Sequence, residues 1–197
     1  MAIRLKPSLT TKIFNLEEIG EVKSANQVFI MDVEVLPALT TDKPIIQQMM
    51  ELYQYDFSEF ENTDLNEHGY FCYQYLDYYW VEADRYPFLV RVNGKLAGFV
   101  LVNQYTYLPG SQYSVGEFFI LRKYRKHGIG RQVAFHVFDL FCGRWEIHQV
   151  HTNIVAQQFW RSVIGAYTEN NYTETVMEDK DWQGIVQCFD NTAKLKV

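Results

Sequence analysis

The chain has 197 residues, of which 48% are apolar and 21% charged, and its formal net charge is -6. This length suits one substantial hydrophobic core and does not require two domains. The acidic total argues against a broad surface for nucleic acid or for an anionic membrane, since both partners need extended positive potential. No run of about 18 apolar residues is present, so we expect no membrane-spanning helix.

Cysteine use and the N-terminal sequence predict the cellular location. Cys72, Cys142 and Cys188 are odd in number and show no metal-binding or redox spacing. The N-terminus lacks the apolar segment and the small-residue cleavage site of a secretory signal. We therefore expect a cytoplasmic protein with reduced thiols and no bound metal.

The first half of the chain predicts strands with one or two helices between them. Residues 1–24 are polar and weakly patterned, and we interpret them as an N-terminal extension; residues 25–197 then form a single domain. QVFIMDVEV, residues 27–35, alternates as a strand does. A helix follows, with Thr41 or Asp42 as its N-cap and Pro44 in its first turn.

A β-hairpin is the clearest local signal in the sequence. PFLVRV and KLAGFVLVNQ flank Asn93-Gly94, a pair that supplies the two positive φ angles of a tight turn. A further strand, SQYSVGEFFIL, occupies residues 111–121. Before the hairpin lies an acidic and aromatic block, residues 53–80, that contains GYFCYQYLDYYW.

The second half alternates helices and strands. RQVAFHVFDLF predicts a helix that ends by Gly143, and RWEIHQVHT predicts the next strand. NIVAQQFWRSVI predicts a helix stopped by Gly165, and YTETVM with GIVQCF predicts a final pair of strands. This order indicates an α/β fold with a mostly antiparallel sheet.

The segment LRKYRKHGIGRQVA, residues 121–134, joins a strand to a helix through a basic, glycine-rich turn. Such a turn presents free N–H groups and the positive end of the helix dipole, which together favour an anion such as phosphate. A Walker A loop is excluded because only one residue separates Gly128 from Gly130 and Arg131 follows. A dinucleotide fingerprint is excluded because Val133 stands where a small residue is required.

The remaining pattern, Arg125-x-x-Gly128-x-Gly130, resembles the coenzyme motif of the GNAT superfamily of acetyl-CoA-dependent N-acetyltransferases. Asn153-x-x-Ala156-x-x-Phe159 resembles the family's second coenzyme segment. The resemblance covers about four-fifths of the chain in its order of elements. It implies a mixed, mostly antiparallel sheet of about seven strands flanked by about four helices, with acetyl-CoA as co-substrate and no metal.

The resemblance also implies which residues contact the coenzyme, through the β-strand backbone, the glycine-rich turn and the later helix. These residues are Phe119, Ile120, Leu121, Arg125, Lys126, His127, Gly128, Ile129, Gly130, Arg131, Asn153, Phe159 and Trp160. Backbone N–H groups of the turn would bind the pyrophosphate. A strand N–H near Phe119 to Leu121 would polarise the thioester carbonyl.

Glu117 is the candidate general base, because relatives place a carboxylate just before the coenzyme-binding strand and its apolar surroundings should raise its pKa. Its alternative role is a structural carboxylate held by an arginine or by backbone donors. Many relatives carry a tyrosine that protonates coenzyme A where this chain has Trp160, and indole is no acid. Tyr167, Tyr172 or solvent would have to replace it.

The aromatic and acidic block would form the acceptor pocket, with Tyr75, Tyr79 and Trp80 as candidate substrate residues, although packing in the core is an equal alternative. His148 and His151 fall on opposite faces of a strand, so ordinary polar roles are favoured for both. The predicted partners are acetyl-CoA and an unidentified amine, without nucleic acid or membrane; the C-terminal edge strands are compatible with a homodimer. The alternatives are a non-catalytic acyl-CoA-binding sensor and, disfavoured by the acidic total, a basic turn that docks phosphoprotein or nucleic acid.

Overall fold

The computed structural model describes residues 31–178 and 182–196. Within them a single seven-stranded sheet has the order β1-β2-β3-β4-β5-β7-β6. Its strands are β1 (Val33–Pro37), β2 (Arg85–Val92), β3 (Lys95–Asn103), β4 (Tyr113–Ile120), β5 (Arg144–Val150), β6 (Thr173–Glu178) and β7 (Gln183–Asp190). All neighbouring strands are antiparallel except β4 and β5, which are parallel.

Three α-helices accompany the sheet in the described part of the chain: α1 (Lys43–Phe57), α2 (Ile129–Leu140) and α3 (Ile154–Thr168). The predicted fold class, a mixed and mostly antiparallel α/β sheet, is confirmed. The second helix that the sequence allowed before the hairpin is present only as a 3-10 turn, Leu76–Trp80, so the described residues hold three α-helices where the resemblance implied about four.

Local predictions agree with the structure at most positions. Asn93 and Gly94 have φ angles of 51° and 70°, so the tight hairpin between β2 and β3 is confirmed. Asp42 is the N-cap of α1, with Pro44 in its first turn. The first predicted strand is observed only from Val33, and its residues 27–30 lie outside the described residues. The proposed boundary of an N-terminal extension at residue 24 lies outside them as well.

The predicted end of the last helix is wrong. Helix α3 continues through Gly165 and ends at Thr168, with Glu169 as C-cap in the left-handed region at φ 54°. A Cβ atom at position 165 would lie 2.8 Å from Oδ1 of Asn170. The glycine therefore allows a close contact inside the helix, whereas the sequence pattern suggested a stop signal.

The sheet carries a hydrophobic core on each face. One core packs α2 and α3 against the sheet and includes Phe138, Trp145 and Ile164. The other packs α1 and the 3-10 turn against the opposite face and includes Met50, Leu76 and Phe99. Helices therefore cover both faces of the sheet. We call the junction between the parallel strands β4 and β5 the seam.

The two strands of the seam diverge after a short paired region. Strands β4 and β5 pair only at Tyr113 with Trp145 and at Ser114 with Glu146. Just beyond this point the register between β3 and β4 shifts, because Val115 faces Val102 while Glu117 faces Leu101, leaving Gly116 as the extra residue of a β-bulge. The rest of β4 is therefore unpaired on its β5 side, and a cleft separates the two strands.

No helix in the described ranges is both long enough and apolar enough to cross a membrane.

Candidate active site

The cleft between β4 and β5 has a volume of about 1240 Å³. Its walls come from both strands, from the end of α1, from the first turns of α2 and α3, and from the loop between β3 and β4. The sequence-predicted phosphate turn and the candidate base Glu117 both line it. A single cavity thus brings the two main predicted features together.

The glycine-rich turn has the backbone geometry of an anion site. Gly128 is the N-cap of α2 at φ 76°, and Lys126 is also left-handed at φ 65°. A Cβ atom at Gly130 would lie 3.0 Å from a ring carbon of Phe159, so a side chain there would require the ring to shift. The first-turn N–H groups of α2 have no acceptor within the helix, which makes them available to a phosphate. These residues therefore fit the pyrophosphate of a coenzyme.

Arg125 lines the cleft and is also paired with a carboxylate. Its Nη2 donates to Oδ2 of Asp56 at 2.6 Å, while Arg122 donates to Oδ1 of the same carboxylate at 2.6 Å. Its Nε donates to the carbonyl of Ile120 at 2.7 Å. Burial would raise the pKa of Asp56, but the two arginines outweigh it and lower the pKa. Arg125 thus borders the cleft and, through its hydrogen bonds to Asp56 and Ile120, connects α1 with the end of β4.

Most of the other predicted coenzyme residues line the cleft, but three have side chains elsewhere. Leu121 packs between the two cores, and Ile129 is buried beneath α2. His127 borders a second, smaller cavity of about 330 Å³. The predicted residues that line the cleft are Phe119, Ile120, Arg125, Lys126, Gly128, Gly130, Arg131, Asn153, Phe159 and Trp160.

The α3 side of the cleft has an aromatic wall and a capped helix. Asn153 is the N-cap of α3, and its Oδ1 accepts from the N–H of Ala156 at 2.9 Å. The rings of Phe118, Phe159 and Trp160 contact one another at centroid distances of 5.0 to 5.7 Å. Asn153 therefore stabilises the helix start whether or not it also contacts a coenzyme.

The direction of the backbone N–H groups on β4 shows which residue of the predicted range 119–121 could serve as the oxyanion donor. The N–H of Leu121 donates to the carbonyl of Ala97 at 2.8 Å, so it points toward β3. Successive residues of a strand direct their backbone groups to opposite edges, so Phe119 points the same way while Phe118 and Ile120 point into the cleft. Ile120 is thus the one residue of the predicted range 119–121 whose N–H points into the cleft.

Glu117 lies at the bulge on β4, half-buried, on the face covered by α1. Burial raises its pKa to about 7, even though hydrogen bonds from the hydroxyls of Tyr53 and Tyr73 lower it, and the nearby charge of Glu61 raises it further. Burial also raises the pKa of both tyrosines, so they remain donors. A carboxylate with this pKa can exchange a proton near neutrality.

Tyr167, the candidate acid, lies away from the cleft. It is buried between α3 and α2, and its hydroxyl donates to Oδ1 of Asp139 at 2.7 Å. Burial and this contact raise its pKa well above the ordinary value. Tyr167 therefore does not reach the cleft, because its ring packs in the core and its hydroxyl donates its hydrogen bond to Asp139.

The candidate substrate residues are placed outside the cleft lining as well. Tyr75 is exposed beside Tyr73 and Tyr78. The hydroxyl of Tyr79 accepts from Nδ2 of Asn103 at 3.0 Å, and the indole of Trp80 donates to the carbonyl of Ala38 at 3.1 Å. The residues that the sequence reasoning missed are Tyr53 and Tyr73, which come from the same aromatic block. Nothing in their local pattern distinguishes them from the other tyrosines.

The strand predicted to hold both histidines ends at Val150, so His148 lies on β5 and His151 in the turn that follows it. His148 lines the cleft, whereas His151 is exposed beyond the end of the strand. Among the described residues, no group of three or more His, Cys, Asp and Glu side chains is arranged to hold a metal ion.

The open seam between two parallel strands, the anion turn at the start of α2 and the carboxylate on β4 together define an acetyltransferase-type α/β domain. The profile of the acetyltransferase (GNAT) family matches residues 46–166. This match covers more than half of the chain, and the protein belongs to that family. No curated protein sequence matches the chain significantly.

Solved structures share this fold at low sequence identity. An acetyltransferase from Thermus thermophilus aligns with a TM-score of 0.56 and 13% identity, covering 80% of this chain and 96% of that one. The PaiA N-acetyltransferase of Thermoplasma acidophilum, solved with coenzyme A, aligns at 0.54 and 12%, covering 80% and 98%. An acetyltransferase from Streptococcus agalactiae aligns at 0.53 and 13%, covering 80% and 98%.

Proposed function

We propose that this protein transfers the acetyl group of acetyl-CoA to a primary amine by direct attack in a ternary complex. The observation that carries the proposal is Glu117, a half-buried carboxyl group with a pKa of about 7 in the cleft between β4 and β5. An amine must lose a proton before it can attack, and a base works best when its pKa lies near the working pH.

The coenzyme would supply the acetyl thioester, and this chain would bind and orient it. N–H groups at the start of α2 suit the pyrophosphate, helped by the charge of Lys126 and Arg131. The unpaired edge of β4 suits the amide groups of the pantetheine arm, because an extended chain can pair with an exposed strand edge. The Ile120 N–H would polarise the acetyl carbonyl.

The acceptor side of the cleft suits a cationic amine. Glu59 and Glu61 line it together with Tyr53, Phe57 and Phe60. Aromatic faces and carboxylates both attract an ammonium group. Asp56 also lines the cleft but is already paired with two arginines, so its charge is compensated. The acceptor pocket therefore has net negative character without it.

The experiment measures coenzyme A release from acetyl-CoA with a thiol reagent and a panel of amines: spermidine, tyramine, kanamycin, a lysine peptide and a peptide with a free N-terminus. Glu117→Gln should lower the turnover number at least tenfold while thermal stabilisation by acetyl-CoA is retained. Glu67→Gln, which removes an exposed carboxylate that does not line the cleft, is the control. Equal turnover in the Glu117→Gln and wild-type proteins would contradict the assignment of the base.

A non-catalytic acyl-CoA-binding sensor is the second candidate. It is favoured by Trp160, whose indole cannot protonate a leaving thiolate, and by the burial of Tyr167 away from the cleft. The same assay separates the two functions. Thermal stabilisation by acetyl-CoA without turnover on any amine would support the sensor.

A further inference from the structure

A carboxylate is buried where β4 and β5 begin to diverge. Glu146 on β5 has 0% solvent exposure. Its Oε2 accepts from the N–H of Leu108 at 3.1 Å, and its Oε1 accepts from the N–H of Tyr107, both in the loop between β3 and β4. Burial would raise the pKa of Glu146, but hydrogen bonds from His148 and the backbone outweigh it and lower the pKa. The group therefore remains an anion inside the protein.

This anion orients a histidine at the cleft. Nε2 of His148 lies 2.8 Å from Oε1 of Glu146. A carboxylate can only accept, so Nε2 carries the proton of that bond and Nδ1 of the neutral ring is the basic nitrogen. Nδ1 lies 3.4 Å from Oγ of Ser114 on β4, where the hydroxyl can donate to it.

The ring is also fixed by its aromatic neighbours. Tyr107 contacts it edge to face at a centroid distance of 4.9 Å, and Trp182 lies at 5.4 Å. The side chain of His148 retains 14% exposure, and the residue lines the same cleft as Glu117. Glu117 lies on β4 and His148 on β5, so two proton-accepting groups flank the cleft from opposite strands.

We propose that His148, positioned by Glu146, is a second proton-transfer residue of the acetyl transfer. The proposal rests on the function proposed above. An ammonium acceptor must lose two protons in forming a neutral amide, and Glu117 accounts for one. His148 accounts for the other, directly or through the Ser114 hydroxyl.

Protons and electrons balance along this route. Glu117 takes the first proton, and the nitrogen lone pair forms the bond to the acetyl carbon. Nδ1 of His148 takes the second proton from that nitrogen, and the carbon–sulfur bond breaks with its electron pair leaving on sulfur. Solvent then removes the protons from Glu117 and His148, and the thiolate can take one from water. This route needs no tyrosine at the position of Trp160.

The other groups around the histidine matter for any pH dependence. Glu146 faces it from β5, and Tyr107 faces it from the loop between β3 and β4. On β7, burial raises the pKa of the Cys188 thiol, and the nearby charge of Glu146 raises it further. Ser114 and Trp182 carry no charge that could compete for the proton.

The test compares His148→Gln, Glu146→Gln and the control His151→Gln with the wild-type protein, using the fastest amine of the panel across a pH series. His148→Gln should lower the turnover number about a hundredfold and remove one ionisation from the pH profile, while the KM for acetyl-CoA changes less than about twofold. Glu146→Gln should lower turnover less and shift that ionisation. His151→Gln should change neither.

Turnover of His148→Gln within about twofold of wild type, with an unchanged pH profile, would overturn the proposal. That outcome differs from failure of the proposed function, which would appear as a wild-type protein inactive with every amine. If the variant does not fold, nitrogen NMR of the wild-type imidazole provides the second test. A His148 ring that takes up no proton between about pH 5 and about pH 9 could not accept one from substrate, and this result would also overturn the proposal.

Discussion

Glu117→Gln should change stability in a pH-dependent way, independently of any assay of activity. Burial raises the pKa of Glu117 from 4.5 to about 7. A carboxyl group with a raised pKa binds its proton more tightly in the folded chain. Its stabilising contribution is therefore fully present below about pH 4.5 and is lost as the pH rises through about 7. Glutamine resembles the protonated side chain and does not titrate, so the variant keeps its stability.

The size of the effect follows from the same values. A tenfold change in proton affinity corresponds to about 1.36 kcal/mol, so the pKa rise to about 7 sets a ceiling of about 3 kcal/mol. Water reaches part of the side chain, and we expect the free energy of unfolding of Glu117→Gln to exceed that of wild type by about 2 kcal/mol above pH 8. Near pH 4.5 the difference should fall below about 0.5 kcal/mol.

Urea unfolding of both proteins across this pH range measures the difference directly. Glu59→Gln, which removes an exposed carboxylate from the same cleft, controls for the change in net charge. A gap between Glu117→Gln and wild type that stays constant with pH would refute a raised pKa at this site. The proposed role of Glu117 as a base would then lose its physical support.

Three further predictions test other parts of the site. Gly130→Val should weaken acetyl-CoA binding at least tenfold, measured by calorimetry, because a Cβ there would already lie 3.0 Å from the Phe159 ring and the branched side chain would push further against it; unchanged affinity would mean that the turn tolerates the shift. Tyr53→Phe should move the acidic limb of the pH–rate profile to higher pH, since its hydroxyl lowers the pKa of Glu117; a shift to lower pH would contradict that hydrogen bond. Tyr167→Phe should cost about 1 kcal/mol of stability by losing its bond to Asp139 yet leave turnover unchanged, and a large loss of turnover would restore it as a catalytic acid.

Local sequence signals predicted turns and helix starts correctly where adjacent residues determine the backbone conformation. The Asn93-Gly94 hairpin and the start of α1 after Asp42 depend on preferences of a few adjacent residues, and both are confirmed, although the Asp42 side chain makes no capping hydrogen bond to α1. Gly165 shows the limit of such signals. A glycine also allows close packing, and here the side chain of Asn170, in the turn after the helix, occupies the space that a Cβ would need.

The candidate site also combines features that are visible in the local sequence with contacts that are visible only in the folded chain. The sequence by itself determined the glycine-rich turn at the start of α2 and a carboxylate next to it on β4, because motif spacing and neighbouring side chains are written along the chain. Only the tertiary structure decided that Asp56 compensates Arg125, that Tyr53 and Tyr73 face Glu117, and that Glu146 holds His148 at the cleft. Each of these contacts except that between Glu146 and His148 joins residues from separate elements. Charge, hydrogen bonding and burial depend on distances in space. The side-chain partners of Arg125, Glu117 and His148 are therefore known only once the strands and helices around the cleft between β4 and β5 are in place.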